Sequence, residues 1–304
     1  GGMTIPAMKD EGYDPDYSAA LSSAASLLGP MIPPSITLIV YAGLTEASVQ
    51  KLFLATLTPA ILCTVAFLAY TLWYGKKKNL PKQPKKTAKE AGKIMLDAIW
   101  ALLLPVIVLG LIFSGATTVT EAAAVSCLYS AVVSLFIYKT ITFKDLLKIL
   151  GDSAVSIAAI MILVGMSKAT AYVVISSQMP QLFMDFITSI TDSRFVVLLI
   201  INVIFLILGC LMEGNCIIVM MVPLLLTLVK SFGIDLLQFG VMSAINIYIG
   251  CITPPVGVSL LLGCKLGKTS VGGTFKAILP FFAISMVILI LVTYWPSFTL
   301  WLIH

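Results

Sequence analysis

The chain has 304 residues, of which 59% are hydrophobic and 11% charged, with a net charge of +5. Its mean hydropathy is +1.05, where a soluble domain would carry about a quarter charged residues. A soluble domain is therefore excluded, and the apolar runs along the whole length call for a multi-pass protein of the lipid bilayer.

The positive charge is concentrated in one basic loop, so it speaks to topology and implies no nucleic-acid partner. The six cysteines, Cys63, Cys127, Cys210, Cys216, Cys251 and Cys264, lie in apolar stretches without paired metal spacing and read as buried free thiols. The single histidine, His304, removes imidazole catalysis and most transition-metal sites. The start, from Gly1 to Met8, carries no signal-peptide pattern, and the chain is expected to be a piece lacking its own N-terminal spans.

In chain order, a short apolar arm ends at Lys9-Asp10-Glu11-Gly12. Residues 17–44 form an apolar segment broken by Gly29-Pro30-Met31-Ile32-Pro33-Pro34-Ser35, and 51–74 form a full span. A basic, proline-bearing linker runs from 76 to 93. Spans are predicted at 94–114, 119–138 and 153–177, the last containing Lys168, and 179–191 reads as an interfacial segment. Residues 195–211 and 216–229 are short apolar arms around Met212-Glu213-Gly214-Asn215, which predicts a re-entrant hairpin with a polar tip. A second broken segment, 236–263, and a last span, 277–302, complete the chain. The linker at 76–93 and the loops at 139–148 and 265–276 hold most of the lysines and fall on one side, the cytoplasmic one.

One comparison carries most of the functional reading. Gly12, Asp14, Gly29, Pro33 and Pro34 recur as Gly233, Asp235, Gly250, Pro254 and Pro255, every pair 221 residues apart. The predicted crossings between Gly12 and Gly233 are odd in number, so the two blocks are expected to lie in opposite orientation, as an inverted-topology repeat. Paired prolines remove two backbone donors and unwind the helix. Unwound backbone in a bilayer survives where it lines protein or a polar cavity, so its carbonyls become candidate cation ligands. The plainer alternative is that each Pro-Pro only kinks a structural helix.

Glu213 is a functional candidate because a carboxylate in the membrane costs a few kcal/mol unless paired or solvated. Its plainer reading is an acid at a wet hairpin end. Lys168 can snorkel or pair with an acid, and Glu121, just after Thr120, suits a helix start.

Several stretches resemble the large membrane subunit of tripartite ATP-independent periplasmic (TRAP) transporters. They are Ile5-Pro6-Ala7-Met8 with Gly12-Tyr13-Asp14-Pro15, Ile32-Pro33-Pro34-Ser35 with Val40-Tyr41, Thr120-Glu121-Ala122-Ala123-Ala124, and Phe239-Gly240 with Gly250-Cys251-Ile252-Thr253-Pro254-Pro255-Val256-Gly257. The resemblance implies an all-α polytopic membrane protein with the inverted-repeat, elevator fold of the ion-transporter superfamily, built of re-entrant hairpins and broken helices. It divides the chain into 1–44 (end of the first hairpin and first broken helix), 45–118 (scaffold helices and basic linker), 119–192 (scaffold and connecting helices), 193–266 (second hairpin and second broken helix) and 267–304 (last span).

The resemblance also implies sodium-coupled transport of an organic anion, of the sialic acid or C4-dicarboxylate class, across the bacterial inner membrane. No cofactor is implied beyond Na+ as coupling ion. The implied partners are a small membrane (Q) subunit, fused in some systems, and a periplasmic substrate-binding (P) protein. One sodium site would use the backbone around Gly29, Pro33 and Pro34. The other would use Glu213, Gly214, Gly250, Thr253, Pro254 and Gly257, with Ser35, Glu213 and Asn215 near the substrate. The family often has Asp near the position of Glu213. The alternative within the superfamily is a stand-alone sodium/dicarboxylate symporter. An intramembrane enzyme is not supported, since the sequence has no Asp-rich diphosphate motif, no paired intramembrane aspartates and no His-Glu metal motif.

Overall fold

The computed structural model describes residues 1–78 and 88–303, apart from some side chains within 88–93 and 159–175. The described residues are helical and contain no strand. In order the helices are α1 (Thr4–Asp10), α2 (Pro15–Ser26), α3 (Leu28–Met31), α4 (Ile36–Thr45), α5 (Val49–Lys77), α6 (Ala88–Phe113), α7 (Val119–Val132), α8 (Phe143–Ser176), α9 (Met179–Ile190), α10 (Arg194–Leu211), α11 (Gly214–Ser231), α12 (Leu236–Cys251), α13 (Val258–Gly267), α14 (Val271–Tyr294) and α15 (Pro296–Leu300). A π-helical turn, Val133–Ile137, continues α7. Among the described residues seven helical stretches are long and apolar enough to cross a membrane. The chain is a polytopic all-α membrane protein.

The contacts divide it into two compact units, Gly1–Pro81 with Met166–His304, and Lys82–Gly165. In the smaller unit α6 and α7 pack together, and Tyr129 on α7 and Tyr138 just after the π-helical turn donate to the carbonyls of Trp100 and Asp97, both at 2.7 Å. Glu121 sits in a capping box: its carboxylate accepts from the Thr118 N–H at 2.7 Å and the threonine oxygen accepts from the Glu121 N–H at 3.3 Å. Thr142 and Asp145 repeat that arrangement, and the threonine hydroxyl and N–H hold the Asp145 carboxyl below its usual range. Cys127 is exposed and Cys216 half-buried, where burial was expected; the other four cysteines are buried, and all six are free.

In the larger unit the repeated blocks have the same local geometry. Helix α1 ends with Gly12 at φ 84° and helix α11 with Gly233 at φ 61°. The Tyr13 N–H bonds the Met8 carbonyl at 3.0 Å, and the Ile234 N–H bonds the Val229 carbonyl at 3.0 Å. This is a glycine-terminated helix end that a side chain at Gly12 or Gly233 would strain. Lys9 and Lys230, in the last turns before these glycines, are a further identity at the same spacing. Each chain then restarts on an aspartate cap: Asp14 accepts from the Tyr17 N–H, Asp235 from those of Leu237 and Gln238.

Two further points differ in detail from the sequence reading. The arms α10 and α11 are 18 residues each, longer than the apolar stretches that announce them, because only Met212 and Glu213 lie outside helix. At about 1.5 Å per residue each reaches roughly 27 Å, close to the thickness of the hydrocarbon layer. Helix α8 starts at Phe143 rather than near 153, carried back by its Thr142 cap. The side chain of Lys168 lies outside the described residues, as does half of the basic linker, 79–87.

Helix α12 is the central element of the larger unit. Thirteen of its residues are buried, which explains why its sequence is apolar all round rather than striped. It packs on α10, α14, α11, α5 and α4. Tyr41 lies against Gly240, where an added methyl group would come within 2.5 Å of the ring, and its hydroxyl donates to the Leu236 carbonyl at 2.6 Å.

Candidate functional site

Both predicted breaks are present. The first, between α3 and α4, contains Ile32 to Ser35; the second, between α12 and α13, contains Ile252 to Gly257. The peptide bonds Pro33–Pro34 and Pro254–Pro255 are both cis. Since proline carries no N–H, the carbonyls of Gly29, Pro30, Gly250 and Cys251 lose the donor that a continuous helix would have supplied. Gly250 recovers one bond, from the Thr253 N–H at 2.8 Å.

The N-terminal turns of α4 and α11 meet. Ser35 is buried and caps α4, accepting from the Leu38 N–H at 3.4 Å. Glu213 caps α11: one carboxylate oxygen accepts from the N–H groups of Asn215 (3.0 Å) and Cys216 (3.2 Å), the other from the Asn215 side-chain amide (2.9 Å). Its charge is thus compensated by the start of its own helix. Between the two turns, Thr37 donates to the Asn215 side-chain oxygen at 2.9 Å. Thr37 is also 2.5 Å from the hydroxyl of Tyr248 on α12. With the threonine proton directed at Asn215, Tyr248 is the donor of that second bond.

The C-terminal ends of α10 and α12 meet as well. A methyl group on Gly209 would lie 2.6 Å from the Ile247 carbonyl oxygen, and one on Gly250 2.5 Å from the Gly209 backbone. Only two glycines allow this approach. The Gly257 N–H, at a residue with φ 43°, donates to the Cys210 carbonyl at 2.9 Å and so holds the second break on the end of α10. Two helix N-termini, favourable to negative charge, therefore adjoin two helix C-termini, favourable to positive charge, with only Met212 and Glu213 between α10 and α11.

Of the predicted residues, Gly214, Asn215, Gly250, Thr253, Pro254 and Gly257 gather around this junction, and Ser35 reaches it through the α4 turn that carries Thr37. The Thr253 hydroxyl donates to the Ile249 carbonyl at 2.8 Å, leaving its lone pairs free. Gly29 is exposed, Pro33 buried and Pro34 exposed on the opposite break. Sequence reasoning missed Thr37, Tyr248 and Gly209. It also passed over Asn202 and Asn246, polar residues inside apolar helices: Asn246 donates to the Asn202 side-chain oxygen at 2.7 Å, and Asn202 to Thr293 at 3.1 Å, joining α12, α10 and α14. An asparagine in an apolar run is itself a signal that could have found them.

The described residues form a multi-pass helical protein with two interrupted helices and a polar junction among their ends. Its sequence matches the family described as "Tripartite ATP-independent periplasmic transporter, DctM component" over residues 1–298. The chain belongs to that family, and is accordingly a multi-pass inner-membrane protein. It is similar to the sialic acid TRAP transporter large permease protein SiaM of Vibrio cholerae serotype O1, at 34% identity over 99% of this chain and 70% of that protein. It is 36% identical to the C4-dicarboxylate TRAP transporter large permease protein DctM of Pseudomonas aeruginosa, with the same coverage of 99% and 70%. The isethionate TRAP transporter permease protein DctMQ of Oleidesulfovibrio alaskensis is 34% identical over 98% of this chain and 47% of its own length.

Proposed function

We propose that the chain moves an organic acid across the inner membrane by sodium-driven secondary transport, with substrate delivered by a periplasmic binding protein and a small Q subunit alongside. The observation that carries the reading is the junction of two helix N-termini and two helix C-termini, bridged by Thr37, Asn215 and Tyr248. A carboxylate substrate suits the N-terminal ends near Ser35 and Asn215. A sodium ion suits the freed carbonyls of Gly250 and its neighbours with the Thr253 oxygen, Glu213, Gly214, Pro254 and Gly257. Among the described residues no three His, Cys, Asp or Glu side chains form a metal cluster, and oxygen ligands of this kind favour a hard cation.

By the repeat, a corresponding site would form from Gly29, Pro33 and Pro34. The matched caps and glycine ends 221 residues apart support a repeat, and the odd number of predicted crossings between its copies makes it inverted. The reading adds an elevator in which 1–44 and 193–266 move together against 45–192, followed by the last span at 267–304. The proposed substrate is an organic acid of the sialic acid or C4-dicarboxylate class; relatives named for these and for isethionate are about equally similar, so the panel of labelled acids includes all three. The relative named DctMQ, of which this chain spans less than half, supports a Q partner that is fused in some systems.

Uptake by proteoliposomes, with the paired binding protein and a panel of labelled acids, tests the proposal. Accumulation is expected only with an inward sodium gradient and with binding protein added. Uptake without the binding protein would favour a stand-alone sodium/dicarboxylate symporter, and uptake indifferent to sodium would overturn the coupling.

A further inference from the structure

A cavity of about 350 Å³ lies well away from the junction, at the first turn of α10, lined by Arg194, Phe195, Leu198, Thr293, Tyr294 and Pro296. Arg194 is exposed, and its hydrogen-bond partner is the neutral side-chain oxygen of Gln238 at 3.5 Å. Among the described residues no carboxylate pairs with it; Asp192, two residues earlier, is exposed. The Gln238 amide is fixed from the other side, donating to the carbonyls of Val292 and Thr293 at 3.0 and 2.8 Å. One wall is rigid, because Phe195 and Tyr294 stack at 4.1 Å and 19°, and the tyrosine hydroxyl donates to the Phe195 carbonyl at 3.2 Å. The floor, Leu198 and Thr293, is buried.

Two features say what the cavity takes. It sits where α10 starts directly after the polar Thr191-Asp192-Ser193 and where α14 ends beside exposed Trp295, an aromatic residue of the kind that marks the depth of lipid headgroups. From it an exposed apolar stripe runs along α10 through Phe195, Leu199, Val203, Ile207 and Leu211, one residue per turn. A guanidinium presents a planar fork that matches a phosphate. A phosphate held at the mouth with acyl chains lying down the stripe uses both features, whereas a free anion uses only the first.

We propose that Arg194 and this cavity bind the phosphate of one anionic phospholipid, whose acyl chains lie along the outer face of α10. Arg194 is the headgroup ligand, the Phe195–Tyr294 pair shapes the mouth, and the lipid pins the outer end of α10 to α14. The site is separate from the transport junction and does not depend on the transport reading.

Native mass spectrometry of the full-length protein in neutral detergent, titrated with phosphatidylglycerol, tests it. The wild type is expected to hold one more tightly bound lipid than Arg194→Gln, whose affinity for that lipid should fall at least tenfold. Lys76→Gln with Lys77→Gln, which weakens the basic linker, should leave this lipid bound. If Arg194→Gln does not fold, Arg194→Lys is read instead: loss of the fork should weaken binding at least threefold. Equal binding by wild type and the Arg194 variant overturns the site. Displacement of the lipid by millimolar inorganic phosphate overturns the lipid as its occupant and makes it a soluble-anion site.

Discussion

The hydroxyl of Thr37 donates a 2.9 Å hydrogen bond to the side chain of Asn215, 178 residues further along the chain. Thr37 is buried, so Thr37→Val, which keeps the shape and deletes the oxygen, leaves Asn215 and Tyr248 without that partner. Stranding a buried polar group costs about 1–3 kcal/mol. We expect Thr37→Val to reduce transport roughly ten- to hundredfold at normal membrane levels, and Thr37→Ser to retain most of it. Wild-type uptake by the valine variant would show that the bond is incidental to transport.

Glu213 spends its carboxylate on the first turn of α11. Glu213→Gln keeps one acceptor oxygen for the backbone N–H groups of Asn215 and Cys216, removes the charge and replaces the second acceptor, which holds the Asn215 amide, by a donor. Expression should therefore stay near normal while sodium-driven uptake drops sharply. Glu213→Ala should add a loss of about 1 kcal/mol in stability, the usual cost of deleting a helix cap. Uptake by the glutamine variant equal to wild type across sodium concentrations would reduce the residue to a cap.

Thr253 is expected to report on the cation directly. Its hydroxyl proton is committed to Ile249, so the oxygen can serve as a ligand without rearranging. Thr253→Ala should raise the sodium concentration for half-maximal uptake several-fold and leave the maximal rate less affected. An unchanged sodium dependence removes this side chain from the site.

The repeat was legible because it is written in residues whose backbone roles are restrictive: glycine with positive φ at 12 and 233, aspartate caps at 14 and 235, and paired prolines at 33–34 and 254–255. The junction was only half legible. Gly250 and Asn215 stood out by type, but their counterparts Gly209 and Thr37 lie on other helices, and nothing local distinguishes a threonine that meets an asparagine 178 residues away. Helix lengths failed where a polar residue continues a helix through its own cap, as Glu213 does at the start of α11 and Thr142 at the start of α8.

Orientation is open to direct measurement. In a background with the six native cysteines replaced, single cysteines at exposed Asp10, beside Gly12, and in the basic linker should react only from the cytoplasmic side, and one at exposed Ser231, beside Gly233, only from the periplasmic side. Labelling of positions 10 and 231 from the same side would end the inverted-repeat reading.

The two bare glycines at 209 and 250 have a mechanical meaning. Where side chains separate two helices, a small shift can be absorbed by rotamer changes; here main chain lies on main chain, with the Gly257 N–H riveted to Cys210 beside it. The join has no cushion of side chains, so the ends of α12 and α10 are expected to move as one body, with any hinge placed elsewhere.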